Sequence, residues 1–118
     1  MKPLSFSYHG KNIFLQVQEC KSIFSKIRGL MFRRRENSPA MLFDLKKPRK
    51  FKIHSLFVFF PFLTIWLDDK KNVLDIKIVK PFRFSVSSKK PFYKLLEIPI
   101  NKKYSKILQF LVGNAKDL

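Results

Sequence analysis

The chain has 118 residues, 46% of them hydrophobic, and 25 Lys and Arg against 8 Asp and Glu give a formal net charge of +17. This length predicts one domain over residues 1–118, and the apolar content suffices for a packed core, which argues against disorder. The charge favours nucleic acid or an anionic membrane surface as a partner. The cations are spread along the whole chain, however, so a bias in overall composition is the open alternative.

Cysteine content and apolar runs argue against several classes of protein. Cys20 is the only cysteine, which excludes an intramolecular disulfide, and the sequence holds no CxxC motif or Cys/His cluster for a metal. The three glycines lie too far apart for a phosphate-binding loop, and we expect no cofactor. No apolar signal-peptide core is visible, and the longest apolar run, residues 56–67, is shorter than the roughly twenty residues of a membrane helix. We therefore expect a cytoplasmic, soluble protein without a membrane span.

Alternation predicts a β-hairpin at the N-terminus. Leu4, Phe6 and Tyr8 alternate with serines, and the odd positions of residues 13–18 repeat the apolar pattern. Gly10 lies between the two segments and suits a tight turn, because glycine adopts positive φ at little cost.

Two helices are predicted from apolar spacing and end signals. The first covers residues 22–28 and ends at Gly29, which takes the left-handed conformation of a helix terminus cheaply. The second follows Asn101 as its cap, with apolar residues between positions 104 and 111 spaced as i, i+3, i+4 and i+7.

The middle of the chain predicts strands interrupted by a cationic turn. A strand starts at residues 40–43, the turn occupies residues 46–50, and alternation resumes at residues 51–53. Residues 56–60 are apolar at every position, which indicates burial on both faces. Pro61 marks a bend, because proline cannot donate to a β-ladder.

The second half predicts another hairpin and a final strand. Residues 63–67 and 73–79 are joined by a turn at 68–72, with Leu74, Ile76 and Ile78 on one face, and a strand follows at residues 93–98. Six or seven short strands with two helices predict a mainly β, α+β fold. We expect a small closed or partly open β-barrel with the helices at its ends.

Three segments resemble a known family in their order and spacing. They are Arg28-Gly29-Leu30-Met31-Phe32-Arg33, then Met41-Leu42-Phe43, and then Ile53-His54-Ser55-Leu56-Phe57-Val58-Phe59-Phe60-Pro61. Over about residues 13–113, the chain is similar to the bacterial and archaeal family of domain of unknown function 192. The third segment, with its histidine and many phenylalanines, resembles the archaeal branch. This resemblance implies a small β-barrel with flanking helices and no established activity.

Two positions depart from the pattern of that family. Ala40 stands where the family usually has Gly, and Leu63 stands where an acidic residue usually follows the central proline by two positions. Any ligand-binding or catalytic role of that carboxylate is therefore lost from this chain.

The sequence gives little support for catalysis. His9 and His54 are the only histidines, and Cys20 with His54 is the one conceivable nucleophile–base pair, which no spacing supports. The 8 acids form no evident general acid–base couple. We assign no catalytic residue, and an enzyme is the least favoured of three function classes.

The favoured function is a non-enzymatic binding module for a small anionic ligand or a protein partner. Its candidate residues are Arg28, Arg33, His54, Met31 and Met41. The two arginines flank an apolar segment and form an anion site in one interpretation; in the other, Arg28 pairs with carbonyls at a helix end. His54 either lines a pocket mouth or is a partly buried residue bonded to a carbonyl, and both methionines also suit a core.

Nucleic-acid binding is the alternative function. The candidate contacts lie in predicted turns and are Arg34, Arg35, Lys46, Lys47, Arg49 and Lys50. Turns gather at the ends of a barrel, and aromatic residues such as Phe51 and Phe82 lie among the cations, a mixture that stacks bases and neutralises phosphates. The sequence contains no RNA-binding signature string.

Overall fold

The computed structural model describes residues 1–20, 30, 33–53, 55, 58–83 and 85–113. Its strands are β1 Lys2–Tyr8, β2 Lys11–Glu19, β3 Ala40–Arg49, β4 Phe62–Leu67, β5 Val73–Val79 and β6 Phe92–Pro99. In this part of the chain one α-helix, α1, spans Ser105–Val112, and 3-10 turns occupy Arg35–Asn37 and Lys102–Tyr104. The mainly β prediction is confirmed. The helix predicted over residues 22–28 lies outside the described residues.

The strands form one sheet that curls into a half-barrel. Their order is β1-β2-β3-β6-β4-β5, and every neighbouring pair is antiparallel except β2 and β3, which are parallel. The two edges of the sheet approach each other. The backbone N–H of Ser7, in the edge strand β1, donates to the carbonyl oxygen of Lys71, in the turn before the other edge strand β5, at 2.9 Å. The curl agrees with the predicted barrel, in its partly open form.

The predicted N-terminal hairpin is confirmed. Tyr8 pairs with Lys11, which leaves His9 and Gly10 as a two-residue turn. Both turn residues have positive φ, 49° and 75°, as the type I′ turn that matches the twist of paired strands requires.

Side chains from all six strands meet on the inner face of the curl. This inner core includes Leu15, Leu42, Ile65 and Ile98, and Leu108 and Leu111 of α1 close it. Burial of these side chains supplies the main driving force for folding, since each fully buried Leu or Ile contributes about 1.5–3 kcal/mol.

A second, more aromatic core lies on the outer face of β3, β4, β5 and β6. Trp66, Phe62 and Phe92 are its largest fully buried members, and Trp66 and Phe92 meet edge to face with ring centroids 6.4 Å apart. Residues outside the sheet, among them Cys20 and Val58, cover this outer core.

The prediction of a cationic turn at residues 46–50 is wrong. Strand β3 continues to Arg49, and its pairing with β6 shifts between Asp44 and Arg49. Lys46 has a φ of +62°, and its backbone N–H is held by Asp44 Oδ1 at 3.0 Å. Strand β3 therefore contains an irregularity, and the cations predicted for the turn lie in its exposed C-terminal half and just beyond it.

Within the apolar run at residues 56–60, the described residues 58–60 do not form the predicted strand buried on both faces. Val58 and Phe60 are buried, but Phe59 is 58% exposed, and none of the three lies in a strand. Upstream, the strand predicted at residues 51–53 is reduced to a single bridge between Ile53 and Val86.

Strand β5 is confirmed with its predicted bounds, but the shared face assigned to Leu74, Ile76 and Ile78 is wrong. Trp66 pairs with Asp75 and Leu67 pairs with Val73, so Leu74 is an extra residue at a β-bulge. The bulge directs Leu74 into the outer core, whereas Ile76 packs against the inner core.

We predict that Tyr104→Phe destabilises the protein. Tyr104 is buried, and its hydroxyl oxygen accepts from the Ala40 backbone N–H at 2.7 Å. The variant leaves a buried N–H without a partner, at a cost of about 1–3 kcal/mol in the free energy of unfolding measured in urea. Tyr93→Phe, at a half-buried tyrosine, is the control and should change it by less than about 0.5 kcal/mol. Equal losses of unfolding free energy in the two variants would contradict a stabilising role of the Ala40–Tyr104 hydrogen bond.

Candidate functional site

Three hydrogen bonds join the 3-10 turn Arg35–Asn37 and Ser38 to the residues that lead into α1. Arg35 Nε donates to the Ile100 carbonyl oxygen at 2.6 Å, and Asn101 Nδ2 donates to the carbonyl oxygens of Arg35 at 2.7 Å and Ser38 at 3.3 Å. We call these bonds the corner tie. They connect residues more than sixty positions apart in the sequence.

The corner tie corrects the prediction that Asn101 caps a helix. Asn101 does precede the 3-10 turn Lys102–Tyr104, but its side chain makes no capping hydrogen bond. Its amide nitrogen is used in the corner tie instead, so the residue orients the helix rather than satisfying its first N–H groups.

A cleft of about 310 Å³ opens beside the corner tie. Its apolar floor is formed by the buried residues Ile100 and Leu108. Its polar lining consists of Arg35, Glu36, Asn101, Lys102, Ser105 and Gln109. The cleft therefore combines an apolar floor with a rim of charged and hydrogen-bonding groups.

The rim of the cleft favours a negatively charged group. Arg35 and Lys102 are exposed, neither forms an ion pair within the described part of the chain, and Glu36 is the one acid in the described lining. A guanidinium has five donors, and only Nε of Arg35 is used in the corner tie.

The residues predicted for a ligand site fall in different places. Arg33 is half-buried, and its backbone N–H donates to the Leu30 carbonyl oxygen at 3.3 Å. Met41 is buried in the outer core, with its sulfur 3.9 Å from that of Cys20. Arg28, Met31 and His54 lie outside the described residues, and for them the sequence prediction stands as made.

The residues predicted to contact nucleic acid divide into two groups. Arg34 and Arg35 are exposed at the cleft end, near the start of β3. Lys46, Lys47, Arg49 and Lys50 are exposed at the opposite end of β3, in its last residues and just beyond them. The sequence prediction therefore contains two surfaces rather than one.

Sequence reasoning missed a buried carboxyl on β6. Glu97 is only 7% exposed and pairs in register with Met41 on β3 and Thr64 on β4. The Thr64 hydroxyl and the Trp66 Nε1–H lie buried on the same face without a hydrogen-bond partner among the described residues. Three polar groups therefore share the interior of the outer core.

Burial raises the pKa of the Glu97 carboxyl from its ordinary value of 4.5 to about 8. The physical cause is the loss of water around the carboxylate, which disfavours the charged form. The protonated acid donates one hydrogen bond, and near pH 8 it also gives up its proton readily. A single acid inside the apolar run of residues 95–100 was the sequence signal that could have identified it.

The described residues contain no cluster suited to a metal ion and no helix suited to crossing a membrane. No three His, Cys, Asp or Glu side chains among them lie close enough to hold a metal. None of the helices in that part of the chain is long and apolar enough to cross a membrane. Leu63, which stands at the position of the family's acid, is fully buried in the inner core.

Comparison with known proteins gives one family and a shared fold. The sequence profile of domain of unknown function 192 (DUF192), described as an uncharacterised ACR, matches residues 6–109. A UPF0127 protein from Pyrococcus furiosus is 30% identical over 90 residues, which is 76% of this chain and 77% of that protein.

Two crystal structures have similar folds. A protein of unknown function from Novosphingobium aromaticivorans superposes with a TM-score of 0.71 at 17% identity, covering 89% of this chain and 76% of the other. A protein from Sinorhizobium meliloti, described as a candidate transcription regulator, also gives 0.71 at 19% identity, covering 87% and 81%. At these identities the likeness shows the fold alone.

We predict that Glu97 makes the protein less stable as the pH rises. Between about pH 4.5 and pH 8, the folded protein keeps the Glu97 proton that the unfolded chain has lost. Because the folded state then binds more protons, the free energy of unfolding falls with rising pH across this window. The loss reaches at most roughly 5 kcal/mol, at about 1.4 kcal/mol for each pKa unit.

The comparison of Glu97→Gln with the parent chain isolates this effect. Urea unfolding at pH 5, 7 and 9 should show that the decline is much smaller in Glu97→Gln, which becomes the more stable protein at pH 9. Glu36→Gln, at an exposed acid, should follow the parent profile. An unchanged decline in Glu97→Gln would contradict the assignment.

Proposed function

The chain belongs to the DUF192 family, and within this family we propose that it is a binding module whose cleft holds an anionic group. The group is a carboxylate or a phosphate, carried by a small ligand or by a protein partner. The observation that carries the proposal is the placement of Arg35 and Lys102 at the rim of a cleft with an apolar floor. A cation and a fixed hydrogen-bond donor beside an apolar surface suit the charged end of a ligand that also has an apolar part.

The lining of the cleft supports binding more than catalysis. The described residues that line it include no cysteine or histidine, and no hydrogen bond joins the hydroxyl of Ser105 to Glu36, the one carboxylate among them. Nucleophilic chemistry needs a base within hydrogen-bond reach of the nucleophile. The proposed role is therefore non-enzymatic.

We also propose that residues 1–118 form one domain in the cytoplasm. The strands, which begin at Lys2 and end at Pro99, all share one sheet. Cys20 is buried and the sequence holds no second cysteine, which is compatible with a reducing compartment.

We predict that Lys102→Gln weakens binding of inorganic phosphate. Lys102 lines the cleft and takes no part in the corner tie, so its loss removes a charge from the rim without removing the bonds that hold α1. Isothermal titration calorimetry with phosphate should show an affinity reduced roughly 5- to 10-fold, the value of one lost charged contact.

Lys106→Gln is the matched control. Lys106 is an exposed lysine in α1, four residues after Lys102, that does not line the cleft, and the two variants have equal net charge. It should bind phosphate within about 2-fold of the parent. If both variants lose affinity equally, the effect is one of overall charge, and the cleft proposal is wrong.

Nucleic-acid binding is the second candidate function, favoured by the net charge of +17. Exposed Lys46, Lys47, Arg49 and Lys50 form one group of cations, and the similar protein from S. meliloti described as a candidate transcription regulator adds weak support.

We expect a single-stranded oligonucleotide to bind in 50 mM salt and to lose affinity steeply towards 200 mM, because released counterions make such binding salt-dependent. Fluorescence anisotropy measures this dependence. No binding in 50 mM salt would rule out this second function.

A further inference from the structure

A basic surface lies where two segments beyond the ends of β3 and β5 meet. The described residues of 49–60 and 80–91 form this surface, which we call the basic lip. Two hydrogen bonds join the segments: the Ile53 N–H donates to the Val86 carbonyl oxygen at 2.7 Å, and the Val86 N–H donates to that of Ile53 at 2.8 Å.

One buried serine fixes the conformation of the basic lip. Ser55 has no exposed surface, and its hydroxyl donates to the Lys80 carbonyl oxygen at 2.7 Å and accepts from the Arg83 N–H at 2.6 Å. Its own N–H donates to the Arg83 carbonyl oxygen at 2.8 Å, and its carbonyl oxygen accepts from the N–H groups of Val58 and Phe82 at 3.1 and 2.9 Å. Ser55 thus holds the turn of residues 80–83 through four hydrogen bonds, and a fifth joins it to Val58.

Phe82 sits in this turn in a strained conformation. Its φ is +61°, in the left-handed region that bulky L-residues rarely adopt. Its ring is nevertheless 51% exposed, so burial in the core does not account for the strain. Strain of this kind, held in place by the surrounding bonds, is typical of functional sites.

A second exposed aromatic ring stands beside Phe82. Phe59 is 58% exposed, and the two ring centroids are 5.5 Å apart with an interplanar angle of 73°. The two phenylalanines therefore offer a fixed, solvent-facing aromatic pair.

The charged side chains of the two segments all have one sign. Segments 49–60 and 80–91 contain no Asp or Glu. Their cations are all exposed, and none of them forms an ion pair in the described part of the chain; they are Arg49, Lys50, Lys52, Lys80, Arg83, Lys89 and Lys90. An anionic partner therefore meets no opposing charge from these two segments.

We propose that the Phe59–Phe82 pair stacks the unpaired bases of a single-stranded nucleic acid, while Lys80 and Arg83 contact its phosphates. Fixed aromatic faces among cations are the features that single-strand binding uses, and bases are accessible for stacking when they are not inside a duplex. An anionic lipid surface would attract the same cations, but it has no need of the ring orientation that Ser55 and the strained turn impose. This inference rests on the second candidate function and not on the cleft.

The test uses Phe82→Gly, because glycine adopts positive φ without strain. The variant should be at least as stable as the parent, so unfolding cannot explain a loss of binding. Fluorescence anisotropy with a 12-nucleotide oligothymidylate in 50 mM salt should show an affinity reduced about 5- to 50-fold, the value of one lost stacking contact. Binding of a 12-base-pair duplex should change by less than about 2-fold.

Phe14→Ala is the control, because Phe14 is an exposed phenylalanine on β2, outside the basic lip. It should leave both affinities within about 2-fold, and Phe59→Ala should reproduce the loss seen with Phe82→Gly. Equal oligothymidylate binding by the parent and the Phe59 and Phe82 variants would overturn the stacking site and leave the second function intact. No binding of oligothymidylate by the parent would overturn both. Binding to phosphatidylglycerol vesicles that depends on Phe82, with oligothymidylate binding unaffected, would also overturn the inference.

Discussion

The attachment of α1 to the start of β3 is the constraint on which the rest of the structure depends. Arg35 and Asn101 form the corner tie, and the Tyr104 hydroxyl adds a bond to Ala40. An eight-residue helix is not stable alone in water, so these bonds and the apolar side of α1 hold it against the sheet. The same bonds place Arg35 and Lys102 around one cleft, so fold and candidate site share their main contacts.

The two faces of the sheet have different physical characters. The inner core is almost wholly apolar and supplies the stability that a half-barrel needs. The outer core contains the buried carboxyl of Glu97, and the Thr64 hydroxyl and Trp66 Nε1–H there have no hydrogen-bond partner among the described residues, an arrangement that costs free energy. Asn101 Oδ1 at the corner tie is a further buried atom without a partner among the described residues, and Phe82 in the basic lip adds backbone strain. The inner core carries the fold and leaves the outer side free to depart from ideal packing.

Periodicity in the sequence predicted most of the strands, because alternation directly reflects a sheet with one buried face. Periodicity failed where the local structure depends on how two strands pair with each other. The irregularity near Lys46 and the bulge at Leu74 are properties of register, which one strand's residues do not contain. Phe59 was misjudged because an unbroken apolar run does not distinguish a buried strand from a loop with one exposed ring.

The candidate site was predictable only in part. Sequence analysis identified Arg35 as a candidate nucleic-acid contact and Asn101 only as a helix cap, and it gave Lys102 no role. Their meeting depends on the path of the chain through four further strands, which no local pattern encodes. The same holds for the turn of Phe82, whose strain arises from bonds to Ser55 on a distant segment.

The most direct test of the central claim is a residue-resolved NMR titration of the full chain with inorganic phosphate. The account predicts saturable amide shifts confined to the cleft, at Arg35, Glu36, Lys102, Ser105 and Gln109. Small, unsaturable shifts spread over all exposed lysines, or no shifts at the cleft, would contradict it.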